Sequence, residues 1–333
     1  MIHLLRRIAA RAGQAVLVLL TVGIAPAYAH GWIFPGEPVW ALWEVTPEVT
    51  LPTLLVVGLY WAGTRKRRQR GHPTGRWRQT AFYTGVAAIY LALQGPLDPM
   101  ADRLFVAHQI EHLLLRMLGP MLLSLSAPIA ELLMGFPMWA RRTIVRPVVR
   151  NRVVRAIYAF FLHPAVATTM FVGALYFWQI PHYHDLAILD DPFHDLMHFT
   201  MLWSGLFFFW LMLDPRSRSA VRVPYRLRYT LLVFSMLATI VLGATITFKG
   251  IEWYPAYDLW GRLWGVNPMV DETWGGLLIW IPSAMMSVIT GLVMLRMLLR
   301  FDQQGMAQRT ARTSARVADG DGGPAPAQHG ALP

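Results

Sequence analysis

The 333-residue chain contains no cysteine. That absence excludes disulfide frameworks, thiolate metal sites, Cys-x-x-Cys redox centres and covalently attached c-type haem, and it leaves Met and His as the only soft metal ligands. Charge is also scarce. Asp, Glu, Lys and Arg make up 15% of the residues against 55% hydrophobic, a balance far from that of soluble globular domains. The acidic sign is the scarcer one, 19 residues against 30 Lys and Arg, for a net charge of +11. The basic residues lie in short stretches between apolar runs, which is a pattern of membrane topology and not of nucleic-acid binding. The chain therefore reads as an all-α polytopic membrane protein with the lipid bilayer, and no nucleic acid, as its surroundings.

Arg6, Arg7 and Arg11 precede an apolar run from Ala15 to Ala25, and Ala27-Tyr28-Ala29 follows with a small-x-small cleavage pattern. Residues 1–29 are read as a cleaved secretory signal peptide, which makes His30 the mature N-terminus, able to offer an amine and a ring nitrogen to one metal. Seven apolar segments follow, at about 48–63, 79–95, 104–126, 157–180, 195–213, 229–248 and 274–299. Each is near the length needed to cross a hydrocarbon core of about 30 Å, so residues 30–300 are expected to form a seven-helix transmembrane bundle. The connections alternate in charge. Arg65 to Arg78, Arg141 to Arg155 and Arg216 to Arg228 are basic, whereas 96–103, 181–193 and 249–273 carry mostly Asp and Glu. The positive-inside rule puts the basic connections in the cytoplasm, which predicts a multi-pass bacterial plasma (inner) membrane protein with its N-terminus outside and its C-terminus inside. Residues 301–333 turn to Gln, Gly, Ala, Pro and Asp without periodicity and are expected to be a disordered cytoplasmic tail.

Two pairs of histidines stand out. His108 and His112, and His194 and His198, are each spaced i,i+4 in predicted spanning helices, so each pair lies on one helix face with its rings about 6 Å apart along the axis. Polar residues in such segments are costly to bury and point to function. Both helices begin at the predicted outer face, which places all four imidazoles at one membrane level. The connection 181–193 brings His182, His184 and carboxylates to the same surface. Met197 and Met201 flank His198 and add thioether ligands to the candidate set, as do Met117 and Met121, although methionine in an apolar helix also serves as packing. Glu111 and Asp195 stand beside the histidines as ring-orienting acceptors. His163, before Pro164, is a weaker candidate, equally suited to supporting a kink.

Three chemistries remain open on these residues. The spacing His-x-x-Glu-His at 108–112 matches the inverted zinc-protease motif, but no soluble catalytic domain or third ligand accompanies it, and no enzymatic role is assigned. Facing helices with His at equal depth can also ligate haem iron axially, although Ile110, Leu113, Leu114 and Leu115 crowd the site. A metal-ion site is the third reading, and imidazole accepts copper, zinc, iron and nickel alike.

Several longer motifs carry a resemblance. His108-Gln-Ile-Glu-His112 followed by three leucines, Gly119-Pro120, Ser126-Ala127-Pro128, Trp178-x-x-Pro181, His194-x-x-x-His198 and Asp271-x-x-x-Gly275-Gly276-x-x-x-Trp280 together resemble the CtaG-type (caa3-type) cytochrome c oxidase assembly factors, over about Leu97 to Leu299. The resemblance implies a membrane bundle of about seven helices that takes part in oxidase biogenesis by supplying copper. The matching positions His108, His112, His194 and His198 would be the metal site. The implied partners are the oxidase subunit that carries the binuclear centre and a soluble copper chaperone. The chain departs from the family pattern at Gln179, where relatives often carry His, and at Met197-His198, where they often carry Glu-His. His182, His184 and Met197 are the residues that would compensate. Transport of copper across the bilayer, and a bis-histidine haem protein, are the alternatives. Clustering of the ligands at one face favours delivery over transport.

Overall fold

The computed structural model describes residues 45–214, 223–259 and 261–318; the expected signal peptide and His30 lie outside them, as do residues 319–333. Among the described residues the chain is helical, with no strand. Helix α1 (Pro47–Gln69) turns at Gly71, whose φ is +78°, into α2 (Arg76–Gln94). Helix α3 (Phe105–Ser126) starts as a regular α-helix, passes through a π-helical stretch at Leu113–Leu118 and resumes at Gly119. It ends at Ala127, in the left-handed region at φ 46°, and the chain bends by 74° into α4 (Ile129–Gly135). Arg78 holds this bend, its Nε donating to the Ser126 carbonyl at 2.7 Å and its Nη2 to that of Ala127 at 2.6 Å.

Helix α5 (Arg152–Phe161) is capped by Asn151, whose side chain accepts from Val153 N at 2.8 Å. A 61° bend separates it from α6 (Pro164–Trp178). The residue before a proline avoids the helical region, so His163 becomes the extended N-cap of α6, and the apolar segment 157–180 divides between two helices across the bend. Helix α7 (Pro181–Leu189) replaces what reads in sequence as an irregular connection. Helix α8 (Asp191–Met212) follows, capped by Asp190 on Phe193 N, then α9 (Tyr225–Phe248) and α10 (Pro268–Ala318).

Helices α8, α9 and the first 33 residues of α10 are long and apolar enough to cross a membrane, and the two bent pairs α3/α4 and α5/α6 raise the number to five. The apolar segments 48–63 and 79–95 form α1 and α2, which fall short of that measure. Glu48 near one end of α1 and Lys66, Arg67 and Arg68 at the other, and Arg76 and Arg78 in α2, dilute their apolar runs. The chain is a helical membrane protein with three to five spans by length and apolarity, where the sequence reading expects seven. Helix α10 also runs past the apolar segment to Ala318, so residues 301–318, which compositional bias assigns to a disordered tail, are helical here. Gln, Ala, Met and Arg in that stretch are good helix formers.

α9 lies along α10, α1 against α4, the end of α3 against α2, and α8 against α6 and the later part of α3. Gly205 permits the last contact, since a Cβ there would overlap the carbonyl of Arg116. At the end of the bundle where α3 and α10 begin, a carboxylate joins them. Asp271 accepts from Phe105 N and Val106 N, both at 2.8 Å, and from Arg262 Nη1 at 2.6 Å. It thus satisfies the orphan N–H groups that open α3. Beside it, Glu272 accepts from Tyr254 N at 3.0 Å and forms an ion pair with Lys249. Gly275 lets Phe105 lie flat on α10, because a methyl there would overlap the phenyl ring.

Asp271 and Arg262 both have buried side chains, and removing one partner of a buried pair leaves the other uncompensated. Asp271→Ala is expected to destabilise the protein by about 3 kcal/mol, measured as loss of helical signal on heating in detergent, with a larger effect than Asp258→Ala on the exposed rim of the same network.

Candidate metal centre at the start of α3 and α8

Asp271 fixes the first turn of α3, and that turn carries His108; His112 follows one turn later on the same face. Asp190 fixes the first turn of α8, which carries His194, with His198 one turn on. The two helix starts face each other, so the four imidazoles meet inside the bundle. All four are buried, between 0% and 8% exposed. One ligating atom from each of His108, Glu111, His194 and His198 lies within 4.8 Å of the other three. His112 joins through His108, Nε2 to Nε2 at 3.0 Å, and its ring centroid stands 5.8 Å from that of His198. His198 Nε2 is 3.5 Å from Glu111 Oε1, and His194 Nδ1 is 3.9 Å from Asp102 Oδ1. The Nδ1 atoms of His108 and His112 make no hydrogen bond, a costly state for buried nitrogens.

The remaining candidates fall outside the cluster. His184 is buried against it, its ring 5.0 Å from that of His108, but both nitrogens are engaged. Nδ1–H donates to the Trp178 carbonyl at 3.0 Å, and Nε2 accepts from the Tyr257 hydroxyl at 2.8 Å. Burial holds its pKa down at about 4, the Trp178 carbonyl opposing and Lys249 adding to the shift. His184 is thus a neutral wall of the site. His182 is exposed on α7, in ring contact with Tyr183. Met197 and Met201 are buried in the apolar core behind the histidines, with Leu115 and Trp178. Met117 and Met121 belong to a second apolar core with Phe208 and Met212. Asp195 is exposed, whereas Glu111 is wholly buried within the cluster. His163 caps the far end of α6.

Other polar groups complete the surround. Gln179 is buried, its Nε2 donating to Gln109 Oε1 at 2.9 Å, while the Tyr254 hydroxyl donates to its carbonyl at 2.9 Å. Arg116, a turn beyond His112, is buried with Nη2 donating to the Phe171 carbonyl at 3.0 Å and its guanidinium 3.8 Å from the Phe171 ring centre. Gln109, His112, Arg116, Leu175 and Ser283 border a cavity of about 10 Å³, room for about one water molecule and none for a porphyrin. Gln109 sits inside the first histidine motif and Gln179 is a departure from the family pattern, so both had a signal in sequence. Arg116, a lone cation in the middle of an apolar segment, carried a signal the motif reading passed over; Asp102, Tyr254 and Tyr257 had none, because their partners are distant along the chain.

The model of the cytochrome c oxidase caa3 assembly factor family matches residues 58–300, and the chain belongs to that family. An uncharacterized protein of Mycobacterium leprae is 25% identical over 280 residues, covering 81% of this chain and 41% of its own length. Uncharacterized proteins of Mycobacterium bovis and Mycobacterium tuberculosis are each 26% identical over 284 residues, covering 80% of this chain and 40% of their own. The chain thus spans about two fifths of the length of these relatives. No solved structure matches it.

The His184 geometry sets a pH dependence. Its pKa falls from 6.5 unfolded to about 4 folded, so its contribution is complete above pH 6.5 and is lost as pH falls toward 4, on the order of 3 kcal/mol in all. Thermal stability in detergent is expected to decline over that window in the wild type and to decline less in His184→Gln.

Proposed function

We propose that the protein binds copper at the cluster of His108, Glu111, His194 and His198, with His112 as an adjoining ligand, and passes it as cargo to a cytochrome c oxidase subunit that carries the binuclear centre. Convergence of four buried ligand atoms from two helix starts is the observation that carries this reading. Metal bonds to nitrogen or oxygen near 2 Å bring ligand atoms within roughly 3 to 4 Å of one another, and atoms already within 4.8 Å reach that spacing by side-chain rotation. Imidazole suits copper well. Membership in the assembly-factor family supports copper over zinc, and the oxidase as the recipient. A soluble chaperone would bring the ion to the cluster.

The role is delivery, with no catalysis by this chain. The protein sits in the bacterial plasma membrane with the cluster at the outer face and the last helix ending in the cytoplasm, as the basic connections support. In this reading α1 and α2 also cross the bilayer, completing seven spans after a cleaved signal peptide. The cluster occupies one end of the bundle, and the fixed charge of Arg116 stands on its inner side. That placement favours delivery over passage of a cation across the bilayer. The small cavity beside His112 disfavours haem.

The test is metal content of the detergent-purified protein by elemental analysis, together with a visible spectrum. Near-stoichiometric copper in the wild type is expected, falling at least tenfold in His112→Ala/His198→Ala and in the His108, His112, His194 and His198 quadruple Ala variant, with membrane insertion unchanged. Equal copper in wild type and variants would refute the site; a Soret band lost with the histidines would replace copper by haem.

A further inference from the structure

The chain carries no acidic residue between Glu131 and Asp185, yet Arg141, Arg142, Arg146, Arg150, Arg152 and Arg155 fall in that stretch. The part from Met138 to Arg150 is a run of short helical pieces, Met138–Ala140, Arg141–Val145 and Arg146–Arg150. Arg142, Arg146 and Arg150 are four residues apart and share a face. None of Arg141, Arg142 and Arg146 has a carboxylate partner among the described residues. With Leu133, Met138, Val145 and Val149 they line a cavity of about 340 Å³, within the range of small-molecule sites. Three cations interleaved with four apolar side chains make an amphipathic lining.

Its place in the fold says what borders it. Helix α3 runs from the histidine cluster to Ser126, and from His108 that is about 27 Å at 1.5 Å per residue, close to the thickness of a hydrocarbon core. The pocket follows the far end of α3, and α6 climbs from there back to Trp178 beside the cluster. The pocket therefore sits at the level of the opposite leaflet's headgroups. Trp139, next in sequence to Met138 of the lining, is 64% exposed, apolar surface that protein does not cover and acyl chains would.

We infer that the pocket formed by Arg141, Arg142, Arg146 and the side chains of Leu133, Met138, Val145 and Val149 binds an anionic glycerophospholipid of the surrounding leaflet. Guanidinium forks take the phosphate oxygens in charge-assisted, paired hydrogen bonds, and basic pockets at a membrane surface favour acidic lipid headgroups. The apolar part of the lining, Leu133, Met138, Val145 and Val149, decides between a lipid and free phosphate. Inorganic phosphate leaves it wet, whereas the upper acyl chain of a lipid covers it. This site lies a membrane's width from the metal centre and does not depend on the copper reading.

The full chain, purified and delipidated in detergent, is titrated with phosphatidylglycerol, phosphatidylcholine or inorganic phosphate and bound lipid is counted by native mass spectrometry. Phosphatidylglycerol is expected to be retained at least tenfold more strongly than phosphatidylcholine. The preference should vanish in Arg141→Gln/Arg142→Gln/Arg146→Gln and survive in the triple Lys variant, and millimolar inorganic phosphate should leave it in place. Equal retention of the two lipids by the wild type overturns the proposal, as does an unchanged preference in the Gln variant. Displacement by inorganic phosphate overturns the lipid assignment in favour of a phosphate site. Should the triple Gln variant fail to insert, Arg142→Glu and the wild-type comparison carry the same decision.

Discussion

The carboxylate of Asp271 is the constraint on which the site depends. Two of its contacts are the first free N–H groups of α3, and the third is the guanidinium of Arg262, so one side chain fixes the start of one helix to the start of another. A helix opening is a weak place, with N–H groups that fray unless something accepts from them. Here the acceptor is a rigid part of α10, and Phe105 against Gly275 prevents rotation. Since His108 lies on that first turn, its position relative to α8 is decided by a residue 163 positions away along the chain and not by the histidine motif itself.

Bringing imidazoles together without water is expensive, and the structure shows where the cost is met. Glu111, fully buried, faces His198, and Asp102 faces His194. These two carboxylates offset positive charge wherever it resides, whether on a proton or on a metal. The partial positive charge of two helix starts acts in the opposite direction. The two contributions oppose each other, so a cation placed among these rings would not meet a deep electrostatic well.

The convergence of histidines was legible in sequence to the extent that it is local. His108 with His112, and His194 with His198, are i,i+4 pairs that any helix presents on one face; the break at Pro164 does not follow from proline alone, since Pro52 and Pro282 lie inside unbroken helices. What depends on distant partners was not legible. His184 looks like a ligand from its spacing, yet Tyr257, 73 residues on, and the Trp178 carbonyl occupy its ring. Glu111 looks like an orienting group and stands within 4.8 Å of ring nitrogens of His108, His194 and His198. The count of spans shows the same limit, because apolar segments of similar length become a straight helix in α9, a bent pair in α5 and α6, and a helix with charged ends in α1. The continuation of α10 to Ala318 escaped a compositional reading because low apolarity does not preclude helix formation.

The π-helical stretch Leu113–Leu118 has no proline or glycine within it to announce it. A π turn accommodates one residue more than the α-helical turn it replaces, and a single residue corresponds to about 100° of rotation about the axis. α3 is therefore two helices in phase terms, one half oriented by Asp271 and the other by Gly119 and Arg78. Loss of one residue from the stretch would change that phase by about 100° and turn the histidines relative to the half of α3 that packs on α8. The facing of the histidines toward α8 is thus set by a mismatch of winding as well as by the spacing of the motif.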